Sequence, residues 1–254
     1  MRFRPCIDLH AGVVKQIIGA TLSDTESEAL ETNYQAQKPA DWFAERYRRD
    51  NLSGGHVIRL GAGNTDAARA ALAAWPGGLQ MGGGITADNA GEWLDAGASH
   101  VIVTSWVFHD GRIHMARLEE LTRRIGKTRL VIDLSCRKRG DAYLVATNRW
   151  QTFTEEAVTF KLMDRLAAFC DEFLIHAVDV EGRCGGIETD LVAYLGRWDG
   201  LPITYAGGIS RQADIDLIET LGNDKIDFTV GSALDIFGGS GLRYADLARR
   251  YGPA

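Results

Sequence analysis

The chain alternates short apolar runs with amphipathic stretches from one end to the other. Runs such as VIVT (101–104), RLVID (129–133), EFLIHAV (172–178) and DFTV (227–230) are apolar enough for strands covered on both faces. Strands are predicted at about 3–8, 56–60, 79–82, 101–104, 129–133, 173–178, 202–206 and 227–231. Between them, helical spacing is predicted over Ala40–Asp50, Asp66–Trp75, Thr86–Ala96, Arg112–Ile125, Thr154–Cys170, Thr189–Trp198 and Ser210–Leu221. Thr86-Ala87-Asp88 and Ser210 read as capping signals, and a last helix over Tyr244–Tyr251 closes the chain.

Eight strands, each followed by a helix, favour an α/β fold of the (β/α)8 TIM-barrel type over a doubly wound sheet. A dinucleotide-binding reading is weaker, because no GxGxxG follows the first strand. The polar stretch Gly19–Lys38 reads as a long loop after the first strand, either a lid or a plain insertion. The two halves also repeat each other. Cys6-Ile7-Asp8-Leu9 corresponds to Val131-Ile132-Asp133-Leu134, Gly83-Gly84-Ile85 to Gly207-Gly208-Ile209, and Val103-Thr104-Ser105 to Val230-Gly231-Ser232. Each match recurs about 125 residues on, so the expectation is one barrel domain over 1–254, built from half-barrels of about 1–126 and 127–254.

Bulk properties narrow the function classes. With 254 residues, 45% hydrophobic and 24% charged, the chain has the make-up of a globular domain able to bury a sizeable core. A net charge of −6 argues against a nucleic-acid surface, and no apolar run approaches the ~20 residues of a membrane span. The N-terminus lacks the apolar stretch of a signal peptide, and the four cysteines show no CxxC spacing, so reduced thiols and a cytoplasmic location are expected. The histidines form no HxxxH-like set, and no metal is expected.

In a barrel of this kind the C-terminal strand ends face the active site. Asp8 and Asp133 both fall there. A single aspartate at a strand end more often caps a loop, but two at repeat-equivalent positions point to a shared acid–base task. The glycines of Gly83-Gly84 and Gly207-Gly208 each sit between a strand and a helix. Tight-turn glycine is the plain reading of one such set; the doubled set, with Thr104-Ser105 and Gly231-Ser232 beside it, points to two phosphate sites. A ligand with a phosphate at each end would bridge them. Lys15 and Arg59 either offset ligand charge or are ordinary surface cations, and Trp150 either stacks on a planar heterocycle or packs. His176 and Asp179 lie at or near the end of the sixth strand.

Taken together, CIDLHAGVVK (6–15), VIDLSCRK (131–138), VATNRWQTFT (145–154), HAVDVEGRCGGI (176–187) and VGSALDIFGG (230–239) resemble the barrel isomerases of histidine biosynthesis, closest to their eukaryotic-style branch. The resemblance spans nearly the whole chain. It implies an Amadori rearrangement of phosphoribosylformimino-aminoimidazole carboxamide ribonucleotide, an aminoaldose with a phosphate on each ribose, without cofactor. Barrels of this kind are often monomers, and a monomer is the expectation. It assigns Asp8 as base and Asp133 as acid, and Trp150 as the stacking residue. The family's usual threonine–aspartate pair on the sixth strand is missing, and either His176 or Asp179 is expected to stand in for it. The sister cyclase of the same pathway, fed with ammonia by a glutaminase, shares two aspartates and two phosphate sites and is the nearest alternative. A non-catalytic phosphosugar-binding barrel is the other.

Overall fold

The computed structural model describes residues 1–17, 32–148 and 150–253. All eight expected strands are present: β1 (Cys6–His10), β2 (Gly55–Arg59), β3 (Leu79–Gly82), β4 (Val101–Val103), β5 (Leu130–Asp133), β6 (Glu172–His176), β7 (Ile203–Ala206) and β8 (Ile226–Phe228). Neighbours in this order pair in parallel. Phe3 bridges in parallel to Phe228, with Arg4 N–H donating to the Phe228 carbonyl at 2.8 Å and Phe228 N–H to the Arg2 carbonyl at 3.0 Å. That contact joins the last strand to the first and closes a (β/α)8 barrel, leaving no open edge between them.

Among the described residues, eight α-helices surround it: α1 (Ala40–Arg49), α2 (Thr65–Ala74), α3 (Ala90–Asp95), α4 (Met115–Ile125), α5 (Phe160–Leu166), α6 (Thr189–Leu195), α7 (Gln212–Leu221) and α8 (Tyr244–Tyr251). Each shows the barrel an apolar stripe at helical spacing. In α1 the stripe is Ala40, Phe43, Ala44 and Tyr47, and the Tyr47 hydroxyl donates to the Cys6 carbonyl at 3.0 Å. The helix and the strand that carries Asp8 are thereby fixed to each other.

Inside the barrel, alternate residues of each strand face the axis and form levels. At the N-terminal mouth, Arg4, Gln80, Glu172 and Thr204 form a buried hydrogen-bonded network. Above it, Ile102, Val131, Leu174 and Ala206 pack into an apolar plug with Ile58 against them. One step further along the strands come Asp8, Asp133 and His176. The plug separates the two polar levels, so the upper one opens only toward the C-terminal mouth.

Several expected elements differ. A helix is expected to run from Thr154 to Cys170; instead its first residues belong to Thr152–Ala157, a strand of a three-stranded antiparallel sheet with Cys136–Arg139 and Ala142–Thr147. The alternation Thr-Phe-Thr suits a strand, and Arg137 and Arg139 lie over the Phe153 ring at 5.4 and 4.2 Å. Helix α5 starts only after Thr159, whose side chain accepts from Leu162 N–H. Arg112–Ile113 likewise pairs with Phe108–His109, and α4 begins after His114. The caps expected at Thr86-Ala87-Asp88 and Ser210 shift as well: Asn89 precedes α3 and accepts from Thr86 N–H, while Asp214 reaches back to Ser210 and Arg211. Of the expected loop Gly19–Lys38, residues 19–31 lie outside the described residues. Thr32–Gln35 is a strand paired with Val13–Ile17, which in turn pairs with β1.

The four cysteines form no disulfide; Cys6, Cys136 and Cys170 are buried and Cys184 is exposed. Among the described residues no helix is long and apolar enough to cross a membrane.

Candidate functional site

The C-terminal mouth holds one cleft in two sections. The first is bounded by Asp8, His176, Glu181, Gly207-Gly208 and Gly231-Ser232, the second by Arg59, Gly83-Gly84 and Thr104-Ser105. Asp133 and Trp150 line both. The two glycine-rich sets expected from the repeat thus lie in adjoining sections that share Asp133 and Trp150, with Asp8 on the wall of the first.

Asp8 accepts a hydrogen bond from Gln16 Nε2 at 3.1 Å, and the Cys6 thiol lies beneath it. Burial, and then the nearby Glu181 carboxylate, push its pKa up to about 6, against the opposing pull of Gln16 and Cys6. Asp133 is held differently. Ser135 Oγ lies 2.9 and 3.0 Å from its two oxygens, and Thr104 Oγ1 donates at 3.1 Å. Burial raises its pKa too, but His176 and the two hydroxyls work in the opposite sense. Ser135 in turn accepts from Trp150 Nε1 at 3.0 Å, which carries the order of the strand end into the loop after β5. Trp150 sits at φ +66, a left-handed conformation rare for a bulky residue, and its ring meets the His176 ring edge-on at 4.8 Å.

His176 ends β6 and faces the cleft, with Nε2 3.0 Å from Glu181 Oε2. Burial alone would lower its pKa, yet Glu181, then Asp133 and Asp8, raise it. His56, deeper in the lining of the first section, is pushed down to about 3 by burial, by His176 and by Arg4, so it stays neutral.

Two expected ligand contacts lie elsewhere. Asp179 falls on a turn of 3-10 helix (Val178–Val180) and is bound to Arg137 Nε and Lys138 N–H, both at 2.8 Å, away from the cleft. Of the two candidates on the sixth strand, only His176 borders the cavity. Lys15 also lies off the lining: side chains alternate along Val13–Ile17, so Gln16 turns inward and Lys15 turns toward His10, 3.4 Å away.

The glycines are explained in part by their neighbours. A Cβ on Gly83, Gly207 or Gly208 would lie 2.2, 2.6 or 2.0 Å from a backbone oxygen, and all three have positive φ. Gly84 differs, since its nearest neighbour is the Arg59 guanidinium at 3.6 Å. Arg59 donates to the Gly83 carbonyl at 2.8 Å and stacks on Trp93, yet its Nε has no partner. This leaves a cation with spare donor capacity beside a bare backbone, a fitting place for an anion. At the other end, Ser232 Oγ accepts from Asn33 Nδ2 at 2.9 Å, and Asn33 also donates to the Gly182 carbonyl. Because Gly208 is needed by the backbone packed on it, Gly208→Ala is expected to cost about 1–3 kcal/mol of stability, read from denaturant melts.

Gln16, Asn33, Ser135 and Glu181 are the site-forming residues that the sequence reading missed. Glu181 had a signal: it is the acidic residue directly before Gly182 in the segment HAVDVEGRCGGI that carries the resemblance.

The model of the family described as "Histidine biosynthesis protein" matches residues 2–238. The 1-(5-phosphoribosyl)-5-((5-phosphoribosylamino)methylideneamino)imidazole-4-carboxamide isomerase of Yarrowia lipolytica is 49% identical, covering 96% of each chain. The isomerase of that name from Saccharomyces cerevisiae is 47% identical over 98% of this chain and 97% of its own. A chloroplastic relative from Medicago truncatula, also so named, is 51% identical over 97% of this chain and 80% of its own. A match over most of the length, on a closed barrel with paired aspartates at its mouth, has one reading: the chain belongs to the histidine biosynthesis protein family.

Proposed function

We propose that this chain is an isomerase that converts the aminoaldose end of a bis-phosphoribosyl imidazole carboxamide to the aminoketose, the Amadori step of histidine biosynthesis. The observation that carries the reading is the pair of adjoining cavities, joined at Asp133 and Trp150, that sets Asp8 and Asp133 between two glycine-rich sets. A substrate with a phosphate on each ribose has the length and charge for it. Gly207-Gly208 and Gly231-Ser232 would bind one phosphate, and Gly84, Arg59, Thr104 and Ser105 the other. Trp150 borders both sections and would stack on the imidazole carboxamide between them.

The reaction needs only proton transfers. An acid protonates the furanose ring oxygen, the C1–O bond breaks, and an iminium ion forms. A base then removes the C2 proton to give an enaminol, which tautomerises to the ketone. Asp8 is suited to be the base, since a carboxylate near 6 is ionised at neutral pH yet more basic than an ordinary one. The acid belongs to the second half of the barrel, in the group formed by Asp133, His176 and Glu181.

The test is turnover of the aminoaldose by the purified chain in the absence of ammonia and of any glutaminase. Full conversion to the aminoketose is expected. No conversion under those conditions, with imidazole ring formation on adding ammonia to the aminoketose, would replace this reading with the cyclase.

A further inference from the structure

We propose that His176, ion-paired with Glu181, is the general acid of the rearrangement, and that Asp133 is a fixed anion rather than a proton donor; this rests on the isomerase reading above. The first support is position. His176 follows Leu174 of the apolar plug on the inward face of β6, which sets its ring in the same cleft as Asp8 and Asp133. The second is its contact with Glu181. Nε2 lies 3.0 Å from Oε2, and both side chains are largely buried, at 16% and 21% exposure. Nε2 is buried and meets Oε2 outside ideal hydrogen-bonding geometry, so Glu181 stabilises the charge of the ring without an aligned bond to hold its proton. A proton held by so imperfect a contact can pass to a ligand oxygen.

The third support is the unsuitability of the alternative. Asp133 lies 2.9 Å from Ser135 Oγ and accepts from Thr104 Oγ1, contacts that keep its oxygens engaged and, with His176, oppose the rise that burial imposes on its pKa. An ionised Asp133 cannot give a proton, but it can stabilise the iminium ion. The titratable groups around His176 are Asp8 and Cys6 on β1, His56 on β2, Asp133 on β5 and Glu181 after β6. With His56 neutral and the buried Cys6 thiol raised, three carboxylates face one imidazole, and the charge balance favours the imidazolium.

The proton balance closes without a co-reactant. His176 gives its proton to the ring oxygen as the C1–O bond breaks, and is left neutral. Asp8 takes the proton from C2, forming the C1–C2 double bond of the enaminol. Asp8 returns that proton to C1, and neutral His176 removes the proton of the 2-hydroxyl as the ketone forms. Both groups end as they began. Glu181 touches no reacting atom in this scheme and is a positioning residue.

The experiment is the pH profile of kcat/KM for wild type, His176→Asn and Glu181→Gln, with product binding and thermal melting recorded for each. Wild type should rise through about 6 as Asp8 ionises and fall above the ordinary histidine range as His176 loses its proton. The groups are coupled, so the limbs belong to the cluster. His176→Asn should bind product, lose about 100- to 10,000-fold in kcat and lack the alkaline limb. Glu181 raises both Asp8 and His176, so Glu181→Gln should move both limbs to lower pH. A residue that merely braces the loop would lower the amplitude and leave the limbs in place. Wild-type kcat with the alkaline limb intact in His176→Asn would overturn the proposal and return the acid to Asp133 or Glu181. If His176→Asn does not fold, unmoved limbs in Glu181→Gln overturn it instead. A wild-type protein that binds product but never isomerises would fail the isomerase reading itself, a distinct outcome.

Discussion

Asp8→Asn is expected to lower kcat at least ~100-fold, the scale of a lost general base, while the diphosphate product still binds. The asparagine keeps the volume and the hydrogen-bonding reach of the carboxylate toward Gln16, but it cannot accept the C2 proton. Neither glycine-rich end of the cleft contacts Asp8, so ground-state affinity should hold. The same substitution should stabilise the fold. The Asp8 pKa stands at about 6 in the folded protein against 3.8 for an ordinary aspartate, through burial and the adjacent Glu181. A group raised on folding gives its full contribution below the unfolded value, and that contribution is lost as pH rises through the folded one. Wild type therefore carries a penalty that grows between pH 3.8 and about 6 and is constant above. Because Asp8 is partly open to the cleft, we expect the asparagine variant to gain on the order of 2 kcal/mol at pH 8, less than the full shift implies. Near pH 3.5 the gain should vanish. Melts at the two pH values check the sign; equal stability of the two proteins at pH 8 would show that Asp8 is not strained by its surroundings.

The scaffold of this site was legible in the sequence because a duplicated barrel leaves its marks at strand ends. Asp8 and Asp133, or Gly84 and Gly208, share a place in the repeat, and apolar runs located all eight strands. What escaped has two physical causes. Short excursions beyond the barrel carry weak periodicity: Val13–Ile17 was not read as a strand, so the alternation that turns Gln16 in and Lys15 out went unused. The segment from Thr154 was joined to the following helix although its polar β-branched residues pair with a hairpin. The second cause is broken symmetry. At the level of His176 in β6, the other half presents Leu60 after β2, an apolar side chain on the same cleft. No repeat argument could find a proton donor that exists in only one half. Its partner Glu181 lies five residues on in sequence, beyond a turn that sends Asp179 outward, and only the folded turn shows which acidic side chain comes back.

At the opposite mouth, Glu172→Ala is expected to destabilise the barrel by about 3–5 kcal/mol, the range for breaking one side of a buried ion pair. The Arg4 guanidinium is almost fully buried and rests on two carboxylates, with Nη1 3.0 Å from Glu172 and Nε 2.7 Å from Asp227. Glu172 also accepts from Gln80 Nε2 at 3.0 Å and Thr204 Oγ1 at 2.7 Å. Alanine would remove the carboxylate acceptor of three buried donors, from Arg4 just ahead of β1, Gln80 on β3 and Thr204 on β7. The loss should appear as a lower denaturant midpoint at unchanged slope, since variant and wild type expose nearly the same surface on unfolding. Glu172→Gln keeps an acceptor for Thr204 and should cost less. The double variant Arg4→Met/Glu172→Met should cost less than the sum of its single changes, because no unpaired guanidinium remains. The plug of Ile102, Val131, Leu174 and Ala206 lies between this network and the aspartates, so kcat of the folded fraction should stay at the wild-type value. A Glu172→Ala protein as stable as wild type would mean that Asp227 alone satisfies Arg4. A stable protein with lowered kcat would instead mean that the two mouths of the barrel are electrostatically coupled through its core.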